Sequence, residues 1–265
     1  MDRINILGVQ VSVTNLEQAF RQIEDWLASD EHQYVCFTPA HSIMDALVDP
    51  TLRKIMNKSG LTTPDGMSIV WILKLKGHRH VGRVYGPDLM LGLCERSIER
   101  GYRHYLYGST EDVLKALAQR LKKDFPEIKI VGSYSPPFRE LTAEEDQTIV
   151  ENIERSGVDI VWVGLSSPKQ EYWMAEHLGK INAPVMIGVG AAFDFLSGNK
   201  PQAPRWIQRS GFEWLFRLAN EPERLWPRYR QYPRFVWLIL LQLIGLKIFR
   251  SNETNKNLDD PESRF

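Results

Sequence analysis

Ile160-Val161-Trp162-Val163-Gly164-Leu165-Ser166-Ser167-Pro168-Lys169-Gln170-Glu171 decides the fold. Four apolar residues in a row, three of them β-branched, read as a strand buried on both faces, and the glycine and Ser-Pro that follow read as the turn into a helix. The same unit recurs outward from it. Tyr34-Val35-Cys36-Phe37, Tyr105-Leu106-Tyr107, Lys129-Ile130-Val131 and Val185-Met186-Ile187-Gly188-Val189 are further strand runs, each separated by segments of helical period. Between about residues 34 and 190 this alternation predicts an α/β fold, a Rossmann-like and mostly parallel sheet with helices on both faces. Ahead of it, Ile4 to Val13 with a central Gly8 reads as a small strand pair at an edge, and Thr14 with Glu17 as a capping box for a helix through Leu27.

Ligands of open α/β sheets sit beyond the carboxyl ends of the strands. Four loops are therefore expected on one rim: Thr38-Pro39-Ala40-His41, Gly108-Ser109-Thr110, Gly164 to Pro168, and Gly190 to Asp194. In the third, Ser167 as cap and Pro168 as first helical residue would leave amide N–H groups facing a phosphate; equally, Ser-Pro is simply a good helix start.

Composition narrows the function. The 265 residues carry 33 Lys+Arg against 33 Asp+Glu, and this zero net charge excludes a surface built throughout to bind nucleic acid. Two distant cysteines, Cys36 and Cys94, make neither a disulfide framework nor a zinc cage, which points to a reducing compartment. Met1 to Ile6 lacks the apolar stretch of a secretory signal, so a cytoplasmic location is expected. Gly188-Val189-Gly190 is an incomplete dinucleotide fingerprint, with Phe193 in place of the third glycine, and there is no Walker A and no Asp-x-Asp pair. His78-Arg79-His80 among Lys74, Lys76 and Arg83 reads as a solvated basic loop. No metal and no cofactor are expected.

After Pro201 the composition changes. From Arg205 to Arg234 there are seven arginines against three glutamates, interleaved with Trp206, Trp214, Trp226, Tyr229 and Tyr232. The apolar run Phe235 to Phe249 follows; it is shorter than the ~20 residues that span a bilayer and is interrupted by Gln242 and Lys247. It is expected to lie on an anionic membrane surface, the alternative being a core or subunit-interface helix, which leaves self-association open. The division expected is a domain over residues 1–200, a helical arginine-rich appendage over 201–250, and a polar disordered tail over 251–265.

Two residues near the first strands invite chemistry. Asp65, in Thr62-Thr63-Pro64-Asp65-Gly66-Met67, is either a helix N-cap or a rim carboxylate acting as general base. Arg83 either binds phosphate or pairs with Asp88.

Taken together, Pro64-Asp65-Gly66, Arg83 with Gly86-x-Asp88-Leu89, Val163-Gly164-Leu165-x-x-Pro168-Lys169-Gln170-Glu171, Gly188-Val189-Gly190-Ala191-x-Phe193-Asp194, Ala203-Pro204-Arg205-Trp206, Gly211-x-Glu213-Trp214 and Glu221-Pro222-x-Arg224-Leu225 resemble the bacterial WecG/TagA/CpsF glycosyltransferases. The resemblance covers nearly all of residues 4 to 245. It implies an inverting, metal-independent transfer of an N-acetylmannosamine-type sugar from a UDP-sugar to a polyprenyl-diphosphate-linked sugar. The setting implied is the inner face of the cell membrane, in cell-surface polysaccharide or teichoic acid assembly. It also implies that Asp65 is the catalytic base, that Arg83, Arg217, Arg224 and Arg228 neutralise diphosphate charge, and that Gln170 contacts substrate. Gly108, Gly164 and Gly190, with Asp194, would belong to the loops that hold UDP. One departure stands out: many relatives carry an asparagine where this chain has Pro39, which offers no amide, so that contact is either absent or replaced by Thr38 or His41. Two rival readings are a non-catalytic nucleotide-sugar-binding regulator at the membrane and a dinucleotide-dependent oxidoreductase.

Overall fold

The computed structural model describes residues 1–29 and 31–251; apart from Ser251, the segment read as a disordered tail lies outside the described residues. The chain opens with an antiparallel pair, β1 (Arg3–Ile6) and β2 (Val9–Ser12), turning at Leu7-Gly8 where both residues adopt positive φ. This pair is a separate two-stranded sheet and not an edge of the main one. Long-range ties hold it there: Arg3 donates to the carbonyls of Asn57 at 3.0 Å and Gly60 at 2.8 Å, and the Thr62 amide donates to Ser12 Oγ at 3.0 Å. Helix α1 (Leu16–Ser29) starts one residue later than expected. Asn15 Oδ1 accepts from the Gln18 amide at 3.0 Å while the Asn15 amide donates to Gln18 Oε1 at 3.2 Å, so the reciprocal box is Asn15/Gln18 and not Thr14/Glu17.

The body of the chain then alternates as predicted: β3 (Gln33–Phe37), α2 (Ala40–Val48), α3 (Pro50–Lys58), β4 (Leu61–Thr63), α4 (Met67–Leu75), α5 (Gly86–Arg100), β5 (Arg103–Gly108), α6 (Glu111–Asp124), β6 (Lys129–Tyr134), α7 (Ala143–Arg155), β7 (Ile160–Gly164), α8 (Lys169–His177), β8 (Val185–Ile187) and α9 (Ala192–Ser197). Six of these strands form one sheet in the order β4-β3-β8-β7-β5-β6, and every pairing is parallel. Side chains alternate across it. Val35, Phe37, Leu106, Ile160, Trp162, Val185 and Ile187 face a core shared with α1, α5, α6 and α9. Tyr34, Cys36, Tyr105, Tyr107, Val161, Val163 and Met186 face the opposite core, closed by α7 and α8. Each such large side chain, fully buried, contributes about 1.5–3 kcal/mol. Both cysteines are buried free thiols.

Within this core Trp162 solves its one polar problem locally. Its indole N–H donates to His104 Nδ1 at 2.9 Å, and burial pushes His104 down to about 4, so the imidazole stays neutral and keeps the lone pair that accepts the bond. Gly108 and Gly164 sit at the carboxyl ends of neighbouring strands. A Cβ on Gly108 would stand 2.7 Å from the Gly164 carbonyl carbon, at a φ of +117°, and one on Gly164 would stand 2.5 Å from the Phe193 ring. Gly108→Ala should therefore destabilise the protein by about 2–4 kcal/mol in urea unfolding, from overpacking added to backbone strain.

The remaining chain is helical: α10 (Arg205–Ser210), α11 (Glu213–Asn220), α12 (Pro222–Tyr229) and α13 (Tyr232–Leu243). Helix α13 lays Phe235, Leu238 and Ile239 into a third core made with the β1-β2 pair, α2, α3 and α4. Gln242, which interrupts the apolar run, has a structural use: its amide donates to the Asn5 carbonyl at 3.1 Å and its Oε1 accepts from the Leu7 amide at 3.1 Å. The opposite face of α13 leaves Val236, Trp237, Leu240 and Leu243 exposed, with Trp237 at 61%. The core-helix alternative is met on one face, and the other face stays apolar and exposed. No helix among the described residues is long and apolar enough to cross a membrane.

Candidate active site

In the sheet, β3 leads outward to β4 while β8 arrives from the opposite side, so a crevice opens beyond their carboxyl ends. A cavity of about 80 Å³ occupies it, walled by the turns after β3, β7 and β8 and by Arg217, Arg224 and Arg228. A second cavity of about 660 Å³ lies beside it, between α4 and the helices α10 to α13. Pro39, His41, Asp65 and Arg217 line both. Asp65 therefore stands where the rim crevice meets the larger chamber.

The register of α4 decides what Asp65 can do. Gly66, not Asp65, occupies the N-cap, and no side chain caps this helix, which sets aside the capping alternative. The carboxylate instead faces Arg83, whose Nη2 lies 3.3 Å from Asp65 Oδ1 and whose Nε donates to the Asp65 carbonyl. Arg83 Nη1 reaches the Glu213 carboxylate at 2.6 Å, and its guanidinium stacks 4.1 Å over Tyr85. Arg83 is thus held between two acids inside the protein. It does not pair with Asp88, which Arg205 holds at 2.8 Å. Burial pushes the Asp65 carboxyl above its ordinary value; Arg83 and Arg217 oppose this and Glu213 reinforces it. Glu213→Gln removes a negative charge that raises Asp65 and leaves Arg83 to Asp65 alone. The acid limb of the pH–kcat profile should then move to lower pH, measured by steady-state rates between pH 4 and 8.

The arginines differ in availability. Arg224 is engaged by Glu221 at 2.6 Å, and Arg228 donates to the Ser167 carbonyl at 3.1 Å. Arg217 is half-buried, lies 5.5 Å over the Phe195 ring, and its Nε–H has no hydrogen-bond partner among the described residues. A guanidinium that lines both cavities and keeps a donor without a partner among the described residues is a place for an anion.

The smaller cavity has a polar floor on α8. That helix starts later than expected, with Pro168 as a cap that has no side-chain oxygen, so Ser167 does not cap it. Gln170 Nε2 donates to the Gly188 carbonyl at 2.6 Å, and its Oε1 is left without a partner among the described residues. Beside it Glu171 is fully buried and pushed up to about 7 by burial. Gly190 adopts φ +53° and brings its backbone against Gln170, where a Cβ would stand 3.3 Å from Oε1. His41 lines both cavities; burial, then Arg228 and Arg217, push it down to about 3, so it is a neutral imidazole.

Four of the residues singled out from sequence do not wall either cavity. Gly108 and Gly164 serve close packing at the strand ends. Asp194 is tied to Asn199 at 2.8 Å and Lys200 at 3.7 Å. Thr38 is buried behind the wall, its amide donating to the Thr63 carbonyl at 2.9 Å. Conversely, Glu213, Glu171, Tyr85 and Tyr229 join the site without having been assigned to it. Glu171 and Glu213 lie inside quoted motifs, and that was their only signal.

A carboxylate set between a rim crevice rich in guanidinium groups and a chamber lined by aromatic rings suits transfer between two bulky substrates, one of them anionic. The model of the family described as "Glycosyl transferase WecG/TagA/CpsF family" matches residues 4–248, and the chain belongs to that family. Among its relatives is an N-acetylglucosaminyldiphosphoundecaprenol N-acetyl-beta-D-mannosaminyltransferase of Bacillus subtilis (strain 168), 31% identical over 77% of each chain. A protein of the same name from Bacillus spizizenii is 30% identical over 74% of each. Membership sets aside the oxidoreductase.

Proposed function

We propose that the protein transfers an N-acetylmannosamine-type sugar from UDP to a polyprenyl-diphosphate-linked N-acetylglucosamine, with inversion and without a metal. The observation that carries this reading is the position of Asp65 at the junction of the two cavities. The donor diphosphate enters the rim crevice, where Arg217, Arg224 and Arg228 meet the charge that grows as UDP departs. The acceptor sugar reaches Asp65 from the larger chamber, whose walls include Trp71, Phe212, Trp214 and Trp226. Asp65 takes the proton of the attacking hydroxyl, and attack from the side opposite the leaving diphosphate inverts the anomeric carbon. The names of the two Bacillus relatives support the choice of acceptor and sugar. The exposed apolar face of α13 supports a protein resting on the inner surface of the membrane, where such an acceptor's lipid stays.

The test is UDP release in the presence of EDTA, from a panel of UDP-sugars with a short-chain prenyl-diphosphate N-acetylglucosamine. Release that needs both acceptor and one donor, with a product of inverted anomeric configuration by NMR, is the expected result. Loss of release with EDTA, restored by a divalent cation, would overturn metal independence; release with no acceptor dependence would overturn the acceptor.

A further inference from the structure

The proposed function uses Trp71 of α4 as a wall of the chamber and leaves the rest of that helix's outer face without a role. Helix α4 buries Ile69, Val70, Ile72 and Leu73 in the core it shares with α13, and turns Trp71, Lys74 and Leu75 outward. These three lie at i, i+3 and i+4, so they form one stripe. Leu75 is 76% exposed and Trp71 47% exposed. The chain then continues through Lys76 and Arg79, both exposed, and there is no acidic residue from Gly66 to Gly82.

The stripe is not isolated. Trp71 of α4 and Val236 of α13 line the same large cavity, so the two helices flank one opening. On the α13 side the exposed residues are Val236, Trp237, Leu240 and Ile244, accompanied by the exposed Arg230 and Arg234, and again no acidic residue occurs from Leu225 to Arg250. Exposed apolar side chains whose charged neighbours in sequence are all cations are matched to one kind of surface, an anionic lipid interface with acyl chains beneath it.

We propose that the Trp71, Lys74, Leu75, Lys76 and Arg79 surface of α4 and its following loop is a second membrane foothold, which with α13 seats the opening of the large cavity directly on an anionic bilayer. This inference rests on the membrane reading of α13 given above. With a single helix in contact the molecule could roll about that helix axis. A second contact across the opening fixes the tilt, so that a lipid-linked substrate passes from bilayer to chamber without crossing water.

The experiment is co-sedimentation of the full-length protein with vesicles of phosphatidylcholine containing phosphatidylglycerol, for wild type, Lys74→Glu/Leu75→Ser/Lys76→Glu, and Trp237→Ser/Leu240→Ser. Lys74, Leu75 and Lys76 line neither of the two cavities. Each variant is checked for an unchanged Tm. The α4 variant should partition about ten- to hundredfold less than wild type, with a shallower salt dependence. It should keep wild-type UDP release with a short-chain, water-soluble acceptor and lose rate only when the acceptor is embedded in vesicles. If the α13 variant falls off the vesicles while the α4 variant binds within twofold of wild type, the second foothold is wrong and the first stands. If wild type fails to bind, both fall.

Discussion

Asp65→Asn is expected to reduce acceptor-dependent sugar transfer by about 10²–10⁴-fold, the usual worth of a positioned general base. Asparagine keeps the shape and still accepts from Arg83 but cannot take a proton. UDP affinity, measured by calorimetry, should be retained or rise, because removing one of the two carboxylates that hold Arg83 leaves a net positive change beside the crevice. Equal losses in UDP affinity and turnover would sink the assignment. The wild-type pH profile carries a matching signature. Asp65 is active when ionised and burial raises its pKa, so the rate should fall on acidification, starting above the ordinary carboxylate range, and that limb should be absent from the residual activity of the variant.

The second large effect belongs to Arg217. Among the described residues its Nε–H has no partner and no acid grips it in a salt bridge as Glu221 grips Arg224, and it lines both cavities. Arg217→Ala should cost about 10²–10³ in kcat/KM, the size seen when one donor to a developing oxyanion is removed. Lysine at 217 should restore only part of this, because an ammonium cannot reproduce the planar fork. The pH profile separates catalytic loss from misfolding. Arg217 lowers the Asp65 pKa, so its removal should shift the acid limb upward, opposite to the shift expected for Glu213→Gln. A variant that loses activity with its acid limb unmoved and its Tm lowered would mark Arg217 as a structural residue.

The strands were legible because parallel strands buried on both faces require unbroken apolar runs, and β3, β5, β7 and β8 have them. The place of the β1-β2 pair was not. Its position depends on contacts from Arg3 to Asn57 and Gly60 and on packing under α13, none of which leaves a local trace. Capping illustrates the same limit at short range: Thr14/Glu17 and Asn15/Gln18 both satisfy the pattern, and a one-residue difference in helix start selects between them. That Asp65 lies on the rim was readable but its freedom from capping was not, since that hangs on Gly66 taking the cap. Glu213 was unassigned because Arg83, its partner, lies on the loop before α5, far away in the chain. The aromatic, basic segment after Pro201 showed its composition plainly, yet only the folded chain reveals that α11 returns a glutamate and an arginine to the end of β4.

The clasp between Gln242 and the Leu7 turn has a consequence for the order in which the protein can assemble. A chain made from its amino end exposes Ile6, Val9 and Val11 almost at once, but the helix that covers them, carrying Phe235, Leu238 and Ile239, emerges more than two hundred residues later. At about 5–20 residues per second the hairpin waits tens of seconds with its apolar side unfinished. During that interval it is a natural client for a chaperone or for the membrane itself, and a ribosome stalled before residue 235 would release a chain whose sheet is complete and whose opening strands still lack their cover.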